Sequence, residues 1–200
     1  LFLGLTLARM EGCRLAVNDL ACRRGERVLF RGLSFELKAG EVLQVVGPNG
    51  TGKSSLLRIL AGLLGPFAGT VERSGAIGLI DERPALDEHL PLGRALEFWA
   101  RIDAPSPPAP NLGLGDLLDV PVRYLSTGQR KRAALARLLG QQAAVWLLDE
   151  PLNGLDADMA RGCEQLVAGH CQAGGIALVA SHQPFALPGL KTLAIADYAP

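Results

Sequence analysis

The stretch Gly47-Pro48-Asn49-Gly50-Thr51-Gly52-Lys53-Ser54 constrains this chain more than any other feature. It has the spacing G-x-x-x-x-G-K-S, follows an apolar run (Val42 to Val46) and opens a leucine-rich helical pattern. A strand, a glycine-rich loop and a helix in that order turn backbone N–H groups inward and aim a helix N-terminus at the same point. That is how a chain holds phosphate. Lys53 is placed to reach β and γ phosphates, and the Ser54 hydroxyl suits Mg²⁺. Gly47 to Ser54, with Ser55 behind them, are therefore the candidate phosphate-binding residues. Chance is a poor explanation, because this chain's own residue frequencies give about 0.003 such matches over its length.

Two further apolar runs, Val145 to Leu148 and Ile176 to Ala180, have the same character as Val42 to Val46. Apolar at nearly every position, all three suit strands buried on both faces of a parallel sheet. Between them lie helical patterns. Ser54 to Leu64 places Leu56, Leu57, Leu60, Leu63 and Leu64 on one stripe and is expected to end at Gly65-Pro66. Arg130 to Leu139 repeats the pattern with Ala134, Leu135, Leu138 and Leu139, and Gly140 is expected to stop it. Strands alternating with helices make the fold class α/β.

Near the N-terminus, Leu15 to Leu20 and Val28 to Leu37 read as strands separated by a turn at Arg23-Arg24-Gly25-Glu26, so a small antiparallel sheet precedes the main one. A helical insert spans roughly 84–123 and leads into the Arg130 helix, reaching about 142. Ala104 to Pro110, with four prolines, forms a stiff connection inside it.

The length of 200 residues fits one domain, taken as 10–200 with 1–9 as an extension and Met10 as an alternative start. Twenty basic residues balance twenty acidic ones, which argues against a nucleic-acid partner. No apolar run approaches the roughly 20 residues of a membrane span, and Leu1 to Ala8 lacks the basic flank of a secretory signal. Cys13, Cys22, Cys163 and Cys171 have neither zinc nor redox spacing and read as free thiols in a reducing, cytoplasmic setting.

The second apolar strand ends in Asp149-Glu150 and the third in Ser181-His182. Carboxylates at the C-terminal end of a parallel strand lie where open α/β sheets bind ligands. Asp149 can hold Mg²⁺, and Glu150 can polarise an attacking water as general base. The His182 imidazole can hydrogen-bond a γ-phosphate and hold water and carboxylate in line. A lone acid pair or a lone histidine is more often structural; three strand ends carrying phosphate chemistry together are not. Leu125-Ser126-Thr127-Gly128-Gln129 is a capping-box pattern, which accounts for Ser126 and Gln129 by itself. A capped helix start with a small residue and a glycine is also an anion site, so both readings stand. The following Arg130-Lys131-Arg132 reads equally well as a solvated helix face.

In that order, Gly47 to Ser54, Leu125 to Gln129, Val145 to Glu150 and His182 resemble the nucleotide-binding subunits of ATP-binding cassette (ABC) transporters, over about 15–197. The resemblance implies the ABC ATPase fold: a P-loop NTPase core with a parallel sheet, an N-terminal antiparallel β-subdomain and a short helical subdomain. It implies ATP and Mg²⁺ as cofactors, a homodimer in the closed state, and integral membrane transporter subunits as partners at the cytoplasmic face of the bacterial inner membrane. Ser126, Gly128 and Gln129 would form the signature that meets ATP on the opposite protomer, Asp156 would lie at the dimer seam, and Glu150 and His182 would be catalytic.

Leu20-Ala21-Cys22-Arg23-Arg24, the run Leu29 to Phe35, Ser181-His182-Gln183-Pro184 and the short length are similar to the haem-exporter ATP-binding subunits of cytochrome c maturation. Three positions depart from the family's pattern. Thr127 replaces the usual glycine. Arg83 stands where a glutamine normally meets Mg²⁺ and the membrane partner. Arg24 stands near the adenine-stacking aromatic, and its guanidinium can stack on the base instead. Two other functions share these motifs: a soluble ABC ATPase that remodels ribosomes or DNA, and a module that dimerises on ATP but hydrolyses it poorly.

Overall fold

The computed structural model describes residues 12–103 and 112–200. The expectations for 1–9, for Met10 and for Ala104 to Pro110 lie outside the described residues. β1 (Arg14–Arg24) and β2 (Arg27–Lys38) form a hairpin, with β4 (Ala68–Ser74) on the other side of β1. The second sheet is entirely parallel, in the order β5-β6-β7-β3-β8: β5 (Ile77–Ile80), β6 (Val145–Asp149), β7 (Ile176–Ala180), β3 (Val42–Val46) and β8 (Lys191–Ala194). Four α-helices accompany them among the described residues: α1 (Lys53–Leu60), α2 (Leu92–Ile102), α3 (Thr127–Gln141) and α4 (Ala157–Gln172).

The three apolar runs are adjacent central strands, and β6 and β7 are buried at every position. Burial on both faces is what removes the alternation from their sequences. One core joins the hairpin's inner face (Leu15, Leu20, Phe30, Leu33) to α1 and the central strands. A second lies between the sheet, α3 and α4. A third, around Leu92, Val122 and Ala133, belongs to the helical layer.

Two helix ends differ from expectation. The α1 helix stops at Leu60, because Gly62 turns the chain with a φ of 78°, and Leu63, expected on the buried stripe, is exposed. In α3 the glycine at 140 does not stop the helix. It runs on to Gln141, and Gln142 closes it in the left-handed region at φ 50°. The hairpin turn is also tighter than expected: Arg23 and Arg24 stay in the strand, and only Gly25 and Glu26 lie outside it. All four cysteines are free, as their spacing predicts, and all four lie in the interior.

Behind the central strands His170 stacks on Trp146 with ring centroids 3.9 Å apart, and its Nε2 lies 3.2 Å from the carbonyls of Ala144 and Ile176. Gly175 is what leaves room, since a Cβ there would collide with the ring. Burial pulls the imidazole down to about pKa 4, against the two carbonyls, which favour the charged form. The unfolded chain takes up this proton near pH 6.5, whereas the fold resists it until about 4. The contribution of His170 is therefore complete above pH 6.5 and is lost as the pH falls towards 4, on the order of 2 kcal/mol by pH 5. Urea midpoints at pH 7 and pH 5 should show this loss in the wild type and a much smaller one in His170→Gln. Equal losses would remove His170 as the cause.

Candidate functional site

The phosphate loop lies between the end of β3 and the start of α1. Gly52 sits at φ 106° with β2 directly beneath it: a Cβ would come within 3.0 Å of Phe30 and 3.2 Å of Leu29, so the hairpin and the loop touch only because position 52 is glycine. The Thr51 hydroxyl donates to the Pro48 carbonyl at 2.8 Å and closes the loop. Lys53 is buried, and its Nζ donates to the carbonyls of Gly47 (2.7 Å) and Pro48 (3.2 Å).

Because β3, β6 and β7 are parallel neighbours, their C-terminal ends open on one edge of the sheet. Asp149, buried to 2% exposure, ends β6, with a hydrogen bond from Ser54 and one oxygen, Oδ1, that is fully buried without a partner. Burial pushes its carboxyl above the ordinary carboxylate range, opposed by the Ser54 hydroxyl and the Lys131 cation. Glu150 follows in the left-handed region at φ 46°, its N–H donating to the Ala180 carbonyl at 2.8 Å. That conformation is costly for a side chain bearing a Cβ, and it swings the carboxylate away from the strand. The carboxylate meets His182, with Glu150 Oε2 2.9 Å from His182 Nδ1. The segment that carries His182 is anchored from β3: buried Gln44 donates to the Gln183 carbonyl at 2.7 Å, and the Gln183 N–H donates to Ser181 Oγ at 3.0 Å.

A cavity of about 610 Å³ runs over the loop. Asn49, Gly50, Gly52, Lys53, Ser54 and Ser55 line one stretch of it, Asp149, Glu150 and Glu82 another, and Arg24, Arg27 and Leu29 a third. Arg27 and Glu82 belong to none of the motifs that mark the other lining residues. Arg24 and Arg27 are direct cross-strand partners beside the two-residue turn, so they share a face once the register is known. Glu82 lines the cavity beside Arg83, the residue that stands at the family's usual glutamine position. The Arg83 N–H donates to Asp81 Oδ1 at 2.9 Å, and its exposed side chain is not part of the wall.

Lys131 is the other departure. It is not on a solvated face: it is buried on α3, and its Nζ donates to the Asp149 carbonyl at 3.0 Å. Burial pulls its ammonium down, with Asp149, Asp81, Glu82 and Glu150 pulling the other way.

Ser126, Gly128, Gln129 and Asp156 do not join this cavity. They line a second one of about 380 Å³. The capping box is present in full: Ser126 Oγ accepts from the Gln129 N–H at 3.2 Å, and Gln129 Oε1 from the Ser126 N–H at 2.8 Å. Asp156 caps α4 by accepting from the Met159 N–H at 2.9 Å. The two helix starts touch, since a Cβ on Gly128 would collide with the Gly154 carbonyl oxygen.

A family profile described as ABC transporter matches residues 30–153, which include the phosphate loop, the Ser126 helix start and the Asp149-Glu150 strand end. The chain belongs to the ABC transporter family. Among its curated relatives, a cytochrome c biogenesis ATP-binding export protein CcmA from Novosphingobium aromaticivorans is 61% identical over 191 residues, 96% of this chain and 100% of the relative. A protein of the same name from Zymomonas mobilis is 50% identical over 96% of this chain and 89% of its own length.

Solved structures give the same fold at low identity. The ATP-binding subunit of an ABC transporter superposes with a TM-score of 0.76 at 23% identity, covering 84% of this chain and 79% of that one. A dimeric ATP-binding cassette in a post-hydrolysis state, bound to ADP and Pi, superposes at 0.73 and 20% identity, over 84% and 88%. The chain thus has the ABC ATPase fold that the motifs predict.

Proposed function

We propose that this chain is the ATP-binding and hydrolysing subunit of an ABC export system, coupling ATP hydrolysis to export by integral membrane partner subunits in haem delivery for c-type cytochrome biogenesis. The observation that carries the chemistry is the convergence of the phosphate loop, Asp149-Glu150 and His182 on one sheet edge, with Glu150 and His182 already 2.9 Å apart. The names and high identity of the curated relatives support the pathway. Its place in this reading is peripheral, at the cytoplasmic face of the inner membrane; among the described residues no helix is long and apolar enough to cross a membrane.

ATP lies with its phosphates on Asn49 to Ser55, the Lys53 ammonium leaving the Gly47 and Pro48 carbonyls for the β and γ oxygens. The Ser54 hydroxyl and Asp149 would hold Mg²⁺, which would neutralise charge on the phosphates. The unpartnered Oδ1 of Asp149 fits a hard cation. Glu150 accepts the proton of the attacking water. The His182 ring, with Nδ1 2.9 Å from Glu150 Oε2, holds that carboxylate in place and leaves Nε2 for the γ-phosphate. Two chains complete two sites, each pairing the loop of one protomer with Ser126, Gly128 and Gln129 of the other and placing Asp156 at the seam.

Arg83 faces away from this chemistry and towards the membrane partner. Arg83→Gln is therefore expected to leave ATP turnover of the isolated subunit within about twofold and to change it severalfold in the assembled complex. Phosphate release measured in both preparations tests this. A large gain in the isolated subunit would place Arg83 in the metal site. ATP turnover by the purified complex, stimulated by its cargo, tests the function as a whole.

A further inference from the structure

β3, β6 and β7 hold two hydrophilic side chains between them, Asp149 at the end of β6 and Gln44 in the middle of β3. Asp149 belongs to the site. Gln44 is 4% exposed, at a position where a strand covered on both faces ordinarily carries an apolar residue. Alternation puts it on the face of Val42, in the core between the sheet, α3 and α4, with Leu43 and Val45 on the other. Burying an amide costs solvation that a leucine would not, and the strand's own ladder gains nothing from it.

In the parallel register Gln44 lies level with Val179 of β7. Its Nε2 nevertheless donates to the carbonyl of Gln183, further along the chain, at 2.7 Å. The intervening residues, if extended, would cover about 13 Å, beyond the reach of a glutamine side chain, so the chain doubles back after β7. His182 lies in that bend. The last backbone bond from this strand to β3 runs from the Ser181 N–H to the Val45 carbonyl at 3.3 Å. On the far side the chain is held again at buried Phe185 and at the Ala186 N–H, which donates to Glu164 Oε1 at 2.9 Å. Between these anchors the bend is tied from within by the Gln183 N–H to Ser181 Oγ, and from β3 by the Gln44 amide.

We infer that Gln44 is a positioning residue for His182: its amide holds the bend so that the imidazole stays against Glu150 and beside the γ-phosphate. β3 runs directly into the phosphate loop at Gly47, so the amide also fixes the histidine to the strand that leads to Lys53 and Ser54. Groups that must act on one phosphoryl group are thereby set from a single element. The choice of side chain is narrow, since asparagine is one methylene shorter and ionised glutamate has no proton to offer a carbonyl. The inference rests on His182 serving ATP hydrolysis.

Gln44→Met and Gln44→Leu both keep an apolar filling in the core and remove the donor. The Gln183 carbonyl, on an exposed residue, takes water instead, so both variants should melt close to the wild type. In phosphate-release assays with the full chain, each lowers kcat about tenfold. Calorimetry gives Mg-ADP affinity within about twofold of the wild type, because Gln44 does not line the cavity. In a His182→Ala background the same replacements change single-turnover cleavage by less than about twofold, since the side chain they position is gone. Ser181→Ala, which loosens the bend from within, gives a smaller loss with the same dependence on His182. A glutamine with a merely structural role would lower both backgrounds equally. Equal loss with and without His182, unchanged kcat, or weakened Mg-ADP binding overturns the inference and leaves the hydrolytic site standing. Absence of turnover in the wild-type chain overturns the hydrolytic reading itself, and the inference with it.

Discussion

Glu150→Gln is expected to lower ATP turnover roughly a thousandfold while leaving Mg-ATP bound, and to hold two chains together. Glutamine has the shape of glutamate and can occupy the same left-handed backbone, but it cannot accept the water's proton. Positioned general bases contribute about 10²–10⁴-fold, and Glu150 is the acid that His182 orients at 2.9 Å. The phosphate loop is untouched by the change, so affinity persists. With ATP uncleaved, the proposed contact between one chain's loop and the other's Ser126–Gln129 strip would have nothing to release it. Phosphate release gives the first half of the result and sedimentation velocity with Mg-ATP the second. A variant that stays monomeric at saturating ATP would discard the two-chain site, and one that keeps turning over would move the base elsewhere.

Lys53→Ala should weaken nucleotide binding by about a hundredfold. The ammonium is the cation closest to the loop, and charge-assisted hydrogen bonds to phosphate are worth about 1.5–3 kcal/mol. Without nucleotide its Nζ also bridges Gly47 and Pro48, so the loop loses an internal tie as well as a ligand contact. Calorimetry with Mg-ADP measures the first effect, and a melting curve without nucleotide isolates the second. Unchanged affinity would remove the loop as the phosphate site.

The central strands were legible because burial on both faces leaves an uninterrupted apolar run, and the phosphate loop because its spacing is backbone chemistry written directly as glycines. β4 was not legible: it is an edge strand exposed at six of its seven positions, so its sequence, AGTVERS, has no burial pattern to show. β8 is four residues long and begins with two exposed ones. Arg27 and Glu82 could not be found from spacing, since both depend on which way a turn sends its side chains. Gly25-Glu26 closes the hairpin so that 24 faces 27, and the Asp81 cap on the Arg83 N–H puts 82 on the wall in place of 83. Lys131 was hidden by composition, because three consecutive cations look solvated until the helix is docked and its middle one is found under Asp149.

The contact between Gly128 and Gly154 joins two backbones with no side chain between them, and a Cβ on Gly128 would collide with the Gly154 carbonyl oxygen. The capped starts of α3 and α4 are therefore held at a separation that only glycine allows. Any side chain at position 128 would pry the Ser126 cap from the Asp156 cap and widen the face that both of them line.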